Sequence, residues 1–306
     1  MSTLITPPSP PSAWALQSLL SGADSIITWY GSDSERWPIS GGMAPMPPDE
    51  GVQLVDIKGL HGPIKHVDQQ GAHQDGVTWL DTTYDALELD MTVTVFGRDA
   101  IGRRRVFRRW LAGWEPRKTG RLVWFTSDMG HWWLDLRMFQ EPREVIKAGD
   151  AASITLAWAA RADFPFWQSF DSVSTKLIAS NATTLADPAG KAPANFLQNW
   201  NRGDQDGWPV MLLQGPGTFT MGDNGGVRRI TLPLKVGELA RITTIPNRRT
   251  VVEVNTGANI YPRLVGRFST PVPAGAVVRN PITVTGAQAG VTSALSTLTP
   301  WRRWPE

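Results

Sequence analysis

The chain has 306 residues, with 30 Lys and Arg against 28 Asp and Glu and a formal net charge of +2. Overall charge therefore calls for neither nucleic acid nor an anionic surface as partner. It contains no cysteine, which excludes disulfide staples, thiolate nucleophiles and zinc–thiolate sites.

The length predicts two domains of ordinary size. The opening MSTLITPPSPPS has no basic region followed by an apolar core, and no run approaches about 18 uninterrupted apolar residues. Neither a secretion signal nor a membrane span is expected, and a soluble protein made in the cytoplasm is. Residues 1–50 are rich in Pro, Ser and Gly, with PPSPP at Pro7–Pro11 and APMPPDEG at Ala44–Gly51. Such proline density argues against helix and central strand, so an arm or loop is predicted, with one short amphipathic helix over Ala13–Leu20.

From residue 51 to 165 the pattern predicts an antiparallel β domain carrying one helix. Leu87, Leu89, Met91, Val93 and Val95 alternate with Glu88, Asp90, Thr92 and Thr94, the period-two signature of a strand with one buried face. Asp99 is a candidate helix cap, and Phe107, Trp110, Leu111 and Trp114 follow at helical spacing until Gly113 and Pro116 end the helix. Leu122–Phe125 and Trp132–Met138 read as a hairpin turning at Ser127–Gly130, and Ile154, Leu156 and Trp158 supply a further strand. GLHGPIKHVDQQGAHQDG reads as a loop. Residues 166–194 are dense in turn formers and read as a linker, with the domain boundary near Phe166.

Residues 195–287 predict a second domain. Val210–Leu213, Ile230–Leu234, Leu239–Ile245 and Thr250–Val254 are strand-length apolar runs separated by Gly, Pro, Asn and Asp, as an antiparallel β-sandwich requires. Residues 288–306 leave this pattern and read as a flexible tail ending in Trp301, Arg302, Arg303 and Trp304. The fold class is therefore mainly β: an N-terminal antiparallel β domain with one α-helix, then a β-sandwich.

Catalytic signatures are weak throughout. His61, His66 and His73 lie in a Gly- and Asp-rich loop without an HExxH pattern, so they read as loop residues and not as metal ligands. Arg202–Gly207 fails as a calcium loop because Arg202 and Leu213 fall at ligand positions. Glu88 and Asp90 share the solvent side of one strand, no GxSxG elbow is present, and Gly222–Gly226 reads as a hairpin turn and not a phosphate loop. No enzyme and no cofactor is expected.

The candidate functional residues are instead contact residues. Arg104, Arg105, Arg108 and Arg109 share the helix face opposite Phe107, Trp110, Leu111 and Trp114. That face suits solvent or a neighbouring subunit's acids better than nucleic acid. Fifteen tryptophans suit cores and interfaces. Adjacent Trp132 and Trp133 in a strand must point to opposite sides, one to the core and one to a partner. Trp301, Arg302, Arg303 and Trp304 combine cation and ring for docking on another copy.

The punctuation of the second domain is also familiar: Asn201 and Gly203 before a strand led by Pro209, Gly215-Pro216, Gly237-Glu238, Arg248-Arg249-Thr250-Val251, then Pro273 and Gly275. This order resembles the galectin-like C-terminal half of siphophage distal tail proteins, and GVQLVDIKGLHGP and DGVTW look like phrases in minor tail proteins of actinobacterial phages. The resemblance implies a structural virion protein at the tail tip. It implies a homohexameric ring joining the tail tube protein to baseplate hub or tail fibre proteins, with a lumen for the tape measure protein and, in transit, genome DNA. A carbohydrate-binding tail protein, using Trp200 or Trp208, is the alternative; no membrane partner is implied.

Overall fold

The structure, a computed structural model, describes residues 25–42, 44–45, 49–145 and 152–306. The helix expected over Ala13–Leu20 lies outside these residues. The chain divides into two compact units, one taking the described residues up to Gln168 together with Arg303–Glu306, the other Ser169–Arg302.

In the first unit, β1 (Ile26–Tyr30), β2 (Arg36–Ser40), β3 (Gly51–Lys58), β4 (Ile64–Gln69), β5 (Thr78–Tyr84) and β6 (Leu87–Phe96) precede the helix α1 (Ala100–Ala112). β7 (Gly120–Thr126), β8 (Gly130–Met138), β9 (Arg143–Val145), β10 (Ser153–Ala162) and β11 (Trp167–Gln168) follow it. The sheet runs β2-β1-β7-β8-β10-β6-β3, with β2 and β3, its two ends, lying against each other. Strand β10 makes the join: it pairs along its length with β6, while only Ala160 and Arg161 pair with β8.

The alternation of β6 does what its sequence predicts, burying Leu87, Leu89, Met91, Val93 and Val95. Helix α1 lies against β3, β6 and β10. Asp99 starts it by accepting hydrogen bonds from the backbone N–H groups of Ile101 and Gly102 at 2.9 and 2.7 Å, which satisfies two amides that the first turn leaves without partners. These bonds, that from Gly102 foremost, hold the Asp99 carboxyl below its usual pKa. Asp99→Ala is expected to lower the melting temperature of the protein by a few degrees in thermal denaturation followed by circular dichroism.

Tryptophan builds this core. Trp29, Trp37, Trp110, Trp114, Trp124, Trp132, Trp158 and Trp167 are all buried in one cluster. Trp29 stacks on Trp114 with centroids 3.8 Å apart, and Trp110 meets Trp37, Trp114 and Trp158 edge to face at 5.6, 5.8 and 5.8 Å. The helix is thus tied to β2 and β10 by edge-to-face ring contacts, a geometry that aromatic quadrupoles favour, and Trp114 just beyond it stacks on Trp29 of β1.

The second unit comprises β12 (Ser172–Val173), β13 (Leu177–Ala179), β14 (Leu185–Ala186), β15 (Phe196–Trp200), β16 (Val210–Gln214), β17 (Gly217–Asp223), β18 (Arg228–Leu234), β19 (Leu239–Thr243), β20 (Thr250–Glu253), β21 (Val277–Thr285) and β22 (Ser293–Leu298). One sheet is ordered β14-β13-β22-β16-β19-β20, with β12 on β22, and the other β15-β21-β17-β18. Their inner faces share one core, with Met211, Leu213 and Ile242 from the first sheet and Phe219, Leu232 and Val284 from the second. This is a β-sandwich.

Several segments differ from the sequence expectation. Residues 26–40, read as arm or loop, form the β1–β2 hairpin, because Pro38 sits on the edge strand β2, where a missing N–H is tolerated. Residues 166–194, read as linker, contribute β12, β13 and β14, and bury Leu177, Ala179 and Leu185. Residues 288–306 are not a tail: β22 lies between β13 and β16, and Trp304 packs on His61 at 3.9 Å. The loop containing His66 is a two-stranded hairpin, β4–β5.

Candidate assembly surfaces

The helix α1 presents its arginines outward, with Arg104, Arg105, Arg108 and Arg109 exposed and Val106 and Trp110 buried beneath. They are not equivalent. The Arg109 guanidinium pairs with Glu35 and lies over the Trp37 ring at 5.3 Å, while Arg105 approaches Glu50 at 3.8 Å. Arg108 donates from Nε to the Arg104 backbone oxygen at 3.3 Å. Arg104 and Arg108 make no ion pair among the described residues, so the cationic character of the face rests chiefly on them.

Trp132 and Trp133 separate as β geometry dictates. Trp132 is 2% exposed, and its Nε1 donates to the Met129 backbone oxygen at 3.1 Å, which fixes it in the core. Trp133 is half-buried on the other face under the Arg121 guanidinium, 5.0 Å from its ring, and Arg121 is itself held by two bonds to Asp135 at 2.7 and 3.1 Å. Of the closing cluster, the Trp301 backbone oxygen accepts from the Asp204 and Gln205 amides at 3.0 and 3.2 Å. Arg302 is half-buried and Arg303 exposed. The Glu306 carboxylate accepts from Trp124 Nε1 at 3.1 Å. Of the ten candidate contact residues, Trp301 and Arg302 belong to the second unit and the other eight to the first, where Trp132 lies in the core and the four arginines lie on the surface of α1.

The carboxylates show what the surface can do chemically. A depression of about 300 Å3 in the second unit is lined by Glu238, Glu253 and Arg263 among others. Glu238 accepts two bonds from Arg263 at 3.0 and 2.9 Å and one from the Lys235 amide at 2.8 Å. Glu253 is buried and accepts from Thr256 Oγ1 at 2.6 Å and from the amides of Leu239, Thr256 and Asn255. These donors, the Thr256 hydroxyl first, pull the Glu253 pKa down to about 2, and the Lys235 amide and Arg263 hold Glu238 low. Both carboxylates are ionised at neutral pH and saturated by donors, so neither can serve as a general acid there. They fasten loops.

A depressed folded-state pKa stabilises the protein at pH values above the unfolded carboxylate's 4.5, and that contribution is lost as pH falls towards 2. Glu253→Gln is expected to lower the melting temperature at pH 7 and to flatten its fall between about pH 4.5 and 2, as read by thermal denaturation across that range.

The histidines do not converge. His61 lies against Trp304, His66 Nδ1 is 3.1 Å from Thr82 Oγ1, and His131 lies against Phe125. Among the described residues no three His, Asp or Glu side chains group as metal ligands would, and no helix is long and apolar enough to cross a membrane.

Over 90% of this chain and 98% of the other, the structure is similar to the Dit protein of phage SPP1, described as a paradigm of the hub adsorption apparatus in phages infecting Gram-positive bacteria. The TM-score is 0.58 and the identity 12%. The chain has the fold of a phage Dit protein. Two structures of the phage p2 baseplate in its activated conformation, with Ca and with Sr, are similar at a TM-score of 0.49 each and identities of 10% and 11%, over 92% of this chain and 99% of theirs. No family model matches the chain, and no curated protein sequence does.

The surface that sequence reasoning missed is the β4–β5 hairpin. Apart from the half-buried Thr82 and Tyr84, its strand residues are all exposed, so neither strand carries the full alternation that marks one packed on a core. The remaining signal was compositional: β-branched and aromatic residues, Ile64, Val67, Val77, Thr78 and Trp79, on either side of a Gly- and Asp-bearing turn.

Proposed function

We propose that this chain is a distal tail protein of a phage, a non-catalytic structural part of the virion at the tail tip. The observation that carries this reading is the fold likeness along nearly the whole Dit chain. The distribution of side chains supports it as well. The acids of the surface depression are locked as acceptors, and a run of exposed apolar side chains, Ile64, Val67, Trp79 and Leu80, sits on the strands β4 and β5.

In this reading six copies form a closed ring through the first unit, and the second, galectin-like unit faces hub or tail fibre proteins. The ring meets the tail tube protein, and its lumen passes the tape measure protein and then the genome. The arginine face of α1, Trp133 and the Trp301–Trp304 segment serve as contacts. The purified chain is expected to give a native mass about six times its 33.6 kDa and particle images with a central hole. A chain that stays monomeric at every concentration overturns the reading.

A second reading has one observation in its favour. On the outer face of β15, Trp200 is 51% exposed, with the Arg202 guanidinium over its ring at 5.6 Å and Gln198 bonded to Arg279 at 2.9 Å beside it. A ring face flanked by polar side chains suits a host-surface glycan. A glycan array at high protein concentration separates the two readings, since signal lost in Trp200→Ala supports sugar binding and an empty array removes it.

A further inference from the structure

The β4–β5 hairpin cannot be explained by its own chain. It continues the β3/β6 pair past Gly59 and stands as a separate two-stranded sheet, reaching roughly 20 Å at about 3.3 Å per residue. A two-stranded ribbon without a core is at best marginally stable in water. This one exposes Ile64, Val67, Val77, Trp79 and Leu80 at between 41% and 62%. A run of exposed apolar side chains of this size marks a surface that another molecule covers.

The ribbon's charge narrows the partner. Between Ile64 and Tyr84 it carries Asp68, Asp75 and Asp81 against the single cation Lys65, so a nucleic-acid backbone would be repelled. The complementary surface lies on the same unit: the exposed face of α1, where Arg104 and Arg108 are without an ion pair among the described residues. Tyr84, at its base, packs on Phe166, but Ile64, Val67, Val77, Trp79 and Leu80 all remain exposed, so these side chains are not covered by the helix of their own copy.

The face of the ribbon that carries Trp79 is already set for binding. Trp79 Nε1 donates to Thr82 Oγ1 at 2.8 Å, and the same hydroxyl is 3.1 Å from His66 Nδ1. These bonds orient an indole that is 62% exposed, and an oriented ring loses less entropy when a guanidinium stacks on it.

We infer that the β4–β5 ribbon of one copy docks on the α1 arginine face of the next, placing Asp68 against Arg104 and Arg108 and covering Trp79, its cross-strand partner on the same face. This deepens the ring reading and rests on it. The two surfaces differ, so the contact is head to tail, the kind that repeats around a ring. Because both sets of charges are exposed, added salt should weaken the contact by screening.

The test is a charge exchange in the full chain, read as the amount of ring by native mass. Asp68→Lys should abolish the ring, and so should Arg104→Glu with Arg108→Glu. Mixing the two variant proteins, or combining all three changes in one chain, should restore it. Circular dichroism and melting of each variant establish that it is folded. Folded variants that form rings as the parent does, or a combined variant that forms none, overturn this contact and leave the ring reading intact. A parent chain that forms no ring overturns both.

Discussion

Trp110→Ala is expected to destabilise the first unit by about 3–5 kcal/mol, measured as the change in unfolding free energy by chemical denaturation. Trp110 is fully buried and meets three other indoles, Trp37 from β2, Trp114 beyond the helix and Trp158 from β10. Truncation removes one of the largest apolar side chains and leaves a cavity whose walls are rigid rings with little ability to collapse inward. The loss is a large fraction of the roughly 5–15 kcal/mol that holds an ordinary domain folded. It would also loosen the platform on which the arginines of α1 are displayed. Ile101→Ala on the same helix removes a side chain that is 61% exposed and should change stability by less than about 0.5 kcal/mol. A Trp110→Ala effect of that small size would contradict the ring-to-ring account of the core.

Gly97→Ala should cost about 1–3 kcal/mol or more by overpacking, through a different cause. A Cβ at Gly97 would lie 2.1 Å from the Arg103 backbone nitrogen and 2.5 Å from the Gly102 carbonyl carbon. The obstruction is helix backbone, which cannot rotate aside as a side chain tip would. The first turn of α1 would have to lift from the end of β6, and with it the Asp99 cap. Denaturation of Gly97→Ala beside Gly76→Ala, where nothing lies within 4 Å but φ is +80°, separates steric conflict from backbone strain. The account expects the conflict at Gly97 to cost more.

Much of the fold can be read from residue order, where a single face is buried over several residues. Strand β6 alternates without interruption, α1 carries a cap and a helical apolar stripe, and β7 and β8 bracket a turn. Each of these local signals agrees with the final packing. Strand β22 escaped because SALSTL mixes Ser and Thr into a buried strand: Ser296 is fully buried and donates to Asn199 Oδ1 at 2.9 Å, a partner far away in sequence. Strands β12 and β14 are two residues long, too short for any period to register. Strand β2 was masked by Pro38, whose tolerance depends on its being an edge, a fact of sheet order and not of local sequence.

The candidate contacts divide by the same logic. Opposed faces for Trp132 and Trp133 follow from strand geometry alone, and so does the exposure of the α1 arginines. That Arg109 would find Glu35 and Arg105 approach Glu50 depends on tertiary proximity that spacing does not carry. The ribbon β4–β5 was the least legible element for a physical reason: beyond the Tyr84–Phe166 contact at its base its side chains lie open to solvent, and such a strand has no inside and outside to write into its sequence. Its pattern belongs to whatever covers it.

The account stands or falls on where this chain sits. Electron-microscopic averaging of tails from particles that carry it should reveal six copies around a central channel at the tail tip, each ribbon resting on the helix of the adjacent copy. Particles in which the chain is absent, or in which it lies apart from the tail tip, would contradict it.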